Sequence, residues 1–277
     1  MRLGLNLLAW SGEVGKAELE LFPRIADLGY DGVELPLIAP DSIDVGAVRR
    51  ALTASGLSCT ASASIPRGAS LLDPAERQKG VEWLGMLAAI LAECGGSLLC
   101  GPLYSPIGLF PGRRRTRAEW ESCVVGLRAA GDLAARYGVT LAVEPLNRFE
   151  TYFLNTVDDA VALLDEVAHP SVGLHPDTFH MNIEEQDLPS AIARGARLTK
   201  HVHFSENDRG IVGSGHVDWP GVAQALRSTN YQGWVVAETF AGWIPDIAAA
   251  TSIWRDLFPD AWVYARDSLS FMRRLLG

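Results

Sequence analysis

Cysteine is sparse in this chain: Cys59, Cys94, Cys100 and Cys123 are scattered through 277 residues, and none forms a CxxC pair. A chain this long can bury a large core without cross-links, so a disulfide scaffold is not indicated. Reduced, buried thiols in a cytoplasmic protein are the expectation. No apolar run approaches the roughly 20 residues that a spanning helix requires. The opening MRLGLNLLAW has neither a long apolar core nor a small-residue cleavage site, and it reads as a first strand. Positive charge is in deficit, with 24 Lys and Arg against 33 Asp and Glu, for a net charge of −9. That balance repels phosphate backbones and anionic lipid, which excludes nucleic acid and membranes as expected partners. The only basic run, Arg113, Arg114, Arg115 and Arg117, reads as a solvated helix entry.

What is present is a globular composition, 48% hydrophobic and 21% charged with 27 Gly and 15 Pro, and a regular alternation. Aliphatic runs read as strands at Leu3–Leu8, Gly32–Leu35, Leu57–Ala61, Ser97–Cys100, Thr140–Glu144, Val172–His175, Thr199–Phe204 and Val235–Glu238. Helical patterns lie between them near Ala17–Leu28, Val45–Ser55, Pro74–Glu93, Arg117–Tyr137, Val157–Val167, Asp187–Gly195, Trp219–Ser228 and Ile247–Leu276. Gly29, Gly56, Gly95 and Gly138 sit where helices should close. Strands that are apolar on both faces and joined by helices belong to a parallel sheet. Eight such alternations, without a linker, predict a single α/β domain over residues 1–277, a (β/α)₈ TIM barrel with a C-terminal helical tail. An open doubly wound sheet should show a Gly-rich phosphate turn after its first strand, and LAWSGEVGKAEL does not fit one.

In a barrel the active face is built at the C-terminal ends of the strands. TLAVEPLNRFE ends a strand with Glu144, and VGLHPDTFHMN places Asp177 and His180 just past the next. KHVHFSENDRG brings His203 and then Arg209, and WVVAETF ends the last strand with Glu238. The early strands show no such charge. Two Glu, one Asp and one His form an oxygen–nitrogen donor set suited to Mn²⁺, Mg²⁺ or Co²⁺ rather than to a thiolate zinc site. Each residue also has a plainer role: either glutamate could cap a helix or pair with Arg148, and Asp177 could be the N-cap of TFHMN. His175 and His216 read as ordinary satisfied polar residues. Of His201 and His203, only one is expected to face the barrel interior.

EPLNRFE, DTFHMNIEE, HVHFSENDRG with GSGHVDW, and AETF together resemble the D-tagatose 3-epimerase and D-psicose (allulose) 3-epimerase family of xylose-isomerase-like barrels. The resemblance runs from LGLNLLAWS to the tail, and is most specific in the second half. It implies that Glu144, Asp177, His203 and Glu238 hold one divalent metal per subunit, Mn²⁺ first. It also implies that Glu150, His180 and Arg209 contact sugar oxygens, and that Glu144 and Glu238 exchange the C3 proton of a free ketose from its two faces. The family's first strand usually directs aromatic side chains at the far end of the sugar; here Asn6 and Leu7 stand there, with Trp10 retained. Asn6 and Trp10 are therefore the expected distal contacts. TASASIPRGASLLDP and GPLYSPIGLFPGRRR also depart from well-known members, which bears on the sugar accepted rather than on the metal.

Three other readings compete. A hydroxypyruvate isomerase, or an inosose or keto-polyol enzyme, would use the same metal site. An apurinic-site endonuclease of the same superfamily needs a His-rich multi-zinc cluster, whereas this chain has six His, the first being His169. A sugar-binding barrel without catalysis would have lost one of the paired glutamates, and both are present. The tail and Trp234, Trp243, Trp254 and Trp262 suggest packing on the barrel and a subunit interface, giving a homodimer or homotetramer as the expectation.

Overall fold

The computed structural model describes residues 1–277. Eight short strands form its centre: β1 (Arg2–Asn6), β2 (Gly32–Pro36), β3 (Ser58–Ser62), β4 (Leu98–Gly101), β5 (Thr140–Val143), β6 (Val172–Leu174), β7 (His201–Phe204) and β8 (Trp234–Ala237). Every ladder is parallel, and β1 lies between β2 and β8, with Leu5 opposite both Val33 and Ala237. The order runs β6-β5-β4-β3-β2-β1-β8-β7, and two isolated parallel bridges, Leu174–Thr199 and Asp177–His203, close β6 onto β7. The (β/α)₈ barrel predicted from the alternation is therefore the architecture found. Inside and between the layers, a continuous core extends from Leu5 and Phe22 to Met272.

Around the barrel lie α1 (Lys16–Leu19), α2 (Phe22–Leu28), α3 (Val45–Ser55), α4 (Arg77–Cys94), α5 (Arg117–Arg136), α6 (Val157–Val167), α7 (Thr178–Glu184), α8 (Leu188–Gly195), α9 (Trp219–Ser228), α10 (Pro245–Thr251) and α11 (Ala261–Leu276). The helix expected over Ala17–Leu28 is two, because Pro23 starts a new helix at its first turn. The long tail helix expected from Ile247 is also broken. Ser252 closes α10 with a left-handed backbone, and Asp260 then caps α11 through Trp262 and Val263 N–H. The first strand stops at Asn6 rather than Leu8, because the Asn6 side chain accepts from Leu8 N–H and turns the chain into a 3₁₀ segment. Arg117 opens α5 behind a Thr116–Glu119 capping box, and Arg113 and Arg117 pair with Glu119, Glu121 and Glu166 at the surface. No helix is long and apolar enough to cross a membrane.

One glycine positions the site directly. Gly101 ends β4 at φ +126°, a conformation open to glycine, and a Cβ there would collide with the Ala63 carbonyl. Its own carbonyl accepts the N–H of Glu144 at 2.9 Å, so this close approach sets where β5 delivers its terminal carboxylate.

Candidate metal centre and cavity

Glu144 and Glu238 are the residues immediately after β5 and β8, and both are buried. Asp177 follows β6 and is the N-cap of α7, so the capping role open to it from sequence is real. Its Oδ1 accepts from Phe179 and His180 N–H at 2.7 and 3.0 Å. Its Oδ2 is free of that duty and faces Arg209 at 3.3 Å and His203 Nδ1 at 3.7 Å. His203 Nδ1 also lies 3.1 Å from Glu238 Oε1, and donor atoms of Glu144, Asp177 and His203 all fall within 4.8 Å of one another. The four residues expected to gather from four successive strand ends are thus adjacent in space.

Their protonation shows a shortage of positive charge. Burial and the charges of Asp177 and Glu238 raise Glu144 well above the usual carboxylate range. Burial raises Asp177 to about 7 despite Arg209 beside it. Burial also opposes ionisation of Glu238, but His203 and Arg209 outweigh it and hold that carboxyl down to about 2. A divalent cation answers such a deficit, and the buried His203 Nδ1, aimed at these carboxylates, has no hydrogen-bond partner of its own. The residues present fit a metal ion.

Sequence reasoning missed Glu34, and with it the claim that the early strands lack charge is corrected. Glu34 sits inside β2, fully buried, and faces the barrel interior. Its Oε1 accepts from His203 Nε2–H at 2.7 Å and Asn6 Nδ2 at 2.9 Å; its Oε2 accepts from Thr60 at 2.9 Å and the Cys100 thiol at 3.3 Å. Burial opposes charge on His203, but Glu238 and Glu34 raise it well above its ordinary value. Donation of Nε2–H to Glu34 leaves Nδ1 as the atom that would give up its proton to a metal, the arrangement that orients a metal-binding imidazole. Burial favours the protonated form of Glu34, but His203 and His201 hold it well below the usual range. An acid inside an otherwise two-sidedly apolar strand was the signal available for it.

The expectation that only one of His201 and His203 faces inward is also corrected. Both are buried inside and both approach Glu34, because side chains two residues apart on a strand share a face. His175 is no satisfied polar residue either: it is fully buried, and neither ring nitrogen has a hydrogen-bond partner. His216 is exposed and only its backbone is engaged, donating to Asn207.

Above the cluster of Glu144, Asp177, His203 and Glu238 is a cavity of about 560 Å³, lined by Glu144, Glu150, His180, His203, Arg209 and Glu238 among others. Asn147 N–H donates to His180 Nδ1 at 3.0 Å, which puts the neutral ring's proton on Nε2. That Nε2–H stands 3.7 Å from Glu144 and 3.1 Å from the Arg209 guanidinium. Two donors converge there, so the space between them suits an oxygen of a bound molecule. The Asn147 side chain also donates to Glu150 at 2.9 Å, which links Glu150 to the same unit. Arg209 is buried at φ +65° and donates to Glu238 at 2.6 Å and Ser205 at 2.8 Å. Phe179 lies under its guanidinium at 3.9 Å, and Thr239 holds its backbone carbonyl at 2.6 Å. A long side chain in the left-handed region marks a constrained turn, and these contacts supply the constraint.

Asn6 lies beneath the cavity, in the Glu34 network, and also donates to Glu238 at 3.4 Å. Trp10 is outside the cavity; its ring packs edge-on against Trp262 at 5.0 Å. Glu206, not singled out from sequence, organises the Ser205–Trp219 loop by accepting from Gly213, Val217 and the Trp219 indole.

Comparison with known proteins agrees with this geometry. The sequence profile of the family described as xylose isomerase-like TIM barrel matches residues 22–274. A ketose 3-epimerase of Arthrobacter globiformis is 33% identical, the match covering 99% of each chain. An L-ribulose 3-epimerase of Methylomonas sp. (strain DH-1) is 35% identical over 99% of this chain and 97% of its own. The crystal structure of a Methylomonas D-allulose 3-epimerase in complex with D-allulose superposes with a TM-score of 0.94 at 32% identity, covering 99% of this chain and 97% of that one. The chain belongs to the xylose isomerase-like TIM barrel family, and its relatives there include ketose 3-epimerases.

Proposed function

We propose that this protein is a metal-dependent ketose 3-epimerase, an isomerase that inverts C3 of a free ketohexose or ketopentose. The observation that carries the reading is the meeting of Glu144 and Glu238 with Asp177 and His203 at the floor of one cavity. Its volume lies in the range of about 300–1,000 Å³ usual for small-molecule sites. Glu13, Glu144, Glu150, Glu238 and Asp246 all line it, and Arg209 is its only permanent cation. Arg209 is already opposed by Asp177 and Glu238, which disfavours a phosphorylated substrate and favours a neutral sugar.

Glu144, Asp177, His203 and Glu238 would hold the ion, with Mn²⁺ the first choice for this oxygen-rich set and Co²⁺ or Mg²⁺ its competitors. When bound, the ion supplies Lewis acidity for charge that develops on oxygen as the neighbouring C–H ionises. One of Glu144 and Glu238 removes the C3 proton from one face of the ketose. The other returns a proton on the opposite face, and the roles reverse in the back-reaction. His180 Nε2–H and Arg209 hold the O2 region, where negative charge grows as the enediolate forms. Glu150, tied to His180 through Asn147, orients that histidine or binds a hydroxyl. Asn6 supports Glu34 and Glu238 from below.

Buried, unpaired thiols at all four cysteines accord with a reducing compartment, the cytoplasm. Trp243 and Trp254 are half or more exposed, as are Phe110 and Phe149; a homodimer or homotetramer would cover such surface, and a monomer by sedimentation would defeat that part.

The test incubates metal-stripped enzyme with D-tagatose, D-fructose, D-psicose and L-ribulose in D₂O, with and without Mn²⁺, followed by NMR. Metal-dependent deuterium at C3, with the epimer appearing, is the expected result. Exchange at C1 would make it an aldose–ketose isomerase, and no exchange from folded, metal-loaded protein would overturn the reading.

A further inference from the structure

Beneath the site just described, the barrel holds a second group of donors that the epimerase reading does not use. Cys100 is on β4, His175 directly follows β6 and His201 is on β7. All three are fully buried, and one donor atom from each, together with His203, lies within 4.8 Å of the others. Four ring nitrogens here, Nδ1 and Nε2 of both His175 and His201, have no hydrogen-bond partner. His201 Nε2 lies 2.7 Å from Glu34 Oε2 but off the line that a hydrogen bond needs. The same Oε2 is 3.3 Å from the Cys100 sulfur. Unsatisfied imidazoles at full burial are costly, and two of them facing one thiol and one carboxylate oxygen call for a ligand.

We propose that Cys100, His175 and His201 form a second metal site, for a thiophilic divalent cation of the zinc type, with Glu34 Oε2 as its fourth donor. Bonds of about 2.3 Å to sulfur and 2.0–2.1 Å to nitrogen put tetrahedral donors roughly 3.3–3.6 Å apart. Glu34 Oε2 lies 2.7 Å from His201 and 3.3 Å from Cys100, while the donors of Cys100, His175 and His201 fall within 4.8 Å of one another. His175 must therefore swing inward and Glu34 back off slightly to complete the shell. His203 takes no part as a ligand, because its Nε2–H is donated to Glu34 Oε1. Glu34 therefore joins the two sites, with one oxygen toward His203 and the other toward the lower ion. The thiolate and imidazole donors select zinc or cobalt over manganese, while the upper, oxygen-rich set does the reverse.

The placement also gives the lower ion a structural task. The seam between β6 and β7 consists of isolated bridges at Leu174–Thr199 and Asp177–His203, whereas every other neighbouring pair has a ladder of at least two consecutive registers. His175 and His201 stand on the two sides of that seam, and Cys100 ties both to β4 across the barrel. An ion bound there would fasten the seam from inside.

The test uses the full chain, stripped by chelator and reconstituted with Co²⁺. Two cobalt ions per chain by elemental analysis, with a near-ultraviolet thiolate-to-cobalt charge-transfer band, are expected; the upper site has no sulfur and cannot give that band. In Cys100→Ala the band disappears and stoichiometry falls from two ions to one, with the circular dichroism unchanged. In Asp177→Asn, which alters only the upper site, the band persists. X-ray absorption of zinc-loaded wild-type protein gives a readout that needs no variant, namely a sulfur neighbour at about 2.3 Å. Absence of that sulfur, one cobalt per chain at saturation, or a band that survives in Cys100→Ala would each overturn the proposal.

Discussion

Glu34→Gln isolates what a buried carboxylate does for His203, the proposed metal-binding histidine, which it touches only through the far side of the ring. In the wild type, Oε1 accepts from His203 Nε2–H and Asn6, while Oε2 accepts from Thr60 and Cys100. Glutamine has the same shape, but one amide orientation would aim NH₂ at two donors, His203 and Asn6. The other orientation is forced: the amide oxygen keeps His203, and NH₂ points at Thr60, whose hydroxyl can rotate to accept. The His203 hydrogen bond then survives without its charge. A bond to a charged group contributes about 1.5–3 kcal/mol and a neutral one about 0.5–1.5, so the loss is roughly 1–1.5 kcal/mol. Reduced basicity of the ligating nitrogen adds to this, and partners of this kind typically account for about 10–100-fold in metal affinity. We expect Mn²⁺ to bind Glu34→Gln about 10–100-fold more weakly, or roughly 1.4–2.7 kcal/mol, with most of the C3 exchange rate recovered at saturating metal. Mn²⁺ is the right probe because as a hard ion it reports the oxygen-rich site. Titration calorimetry on stripped protein reads the affinity directly. A Mn²⁺ affinity unchanged in Glu34→Gln, in a variant that folds normally, would refute the claim that Glu34 sets the state of His203.

Arg209→Lys keeps one charge but cannot reach Glu238, Ser205 and the His180 ring together. Removing one donor to a developing oxyanion costs about 10²–10³ in rate, so steady-state kcat/KM should fall by that much with unchanged folding; a variant as active as wild type would sink the oxygen-socket role. Asp177 is raised in the folded, metal-free protein from its ordinary 3.8 to about 7, so it binds its proton more tightly folded than unfolded. Its contribution to stability is therefore complete below about 3.8 and is lost as pH rises through about 7; the rise in Tm on adding Mn²⁺ should be larger near pH 8 than near pH 6, and the reverse order would contradict the assignment. Phe153 is fully buried against Tyr104, Trp120 and Tyr152, and Phe153→Ala should cost about 3–5 kcal/mol in urea unfolding, while a loss below about 1 kcal/mol would show that the cluster is not the packing unit it looks.

The barrel was legible because its signal repeats: each aliphatic run with its helix votes for the same architecture, and α3, α6 and α9 lie where periodicity placed them. Breaks within helices were less legible. Pro23 and the Ser252–Asp260 stretch interrupt patterns whose apolar spacing continues across the break, since both halves pack on one core. α7 entered the sequence reading only as the plainer role for Asp177, the N-cap of TFHMN, and not as an element, because Thr178–Glu184 is about two turns whose residues read first as chemistry. Trp10 exposes the harder limit. Its type and position suited a distal contact, but the face it uses is set by Trp262, from the other end of the chain, and no local pattern carries that partner.

The candidate site divides along the same line. Glu144, Asp177, His203 and Glu238 stand out locally, because each is a polar or charged group at or near the end of an apolar strand. Glu34, His175 and His201 are just as anomalous, each a polar group on a strand or at its end, and yet their meaning is not local. Glu34 makes sense only when β2 and β7 face each other across a closed barrel, and His175 only when β4, β6 and β7 bring Cys100 and His201 to it. Parity along a strand would have placed His201 and His203 on one face, but not what they share. The part of a metal site that selects its ion is written in the ligands, whereas the part that holds those ligands in one protonation state is written in barrel closure. It is there that this chain carries donors which the chemistry of a ketose does not need.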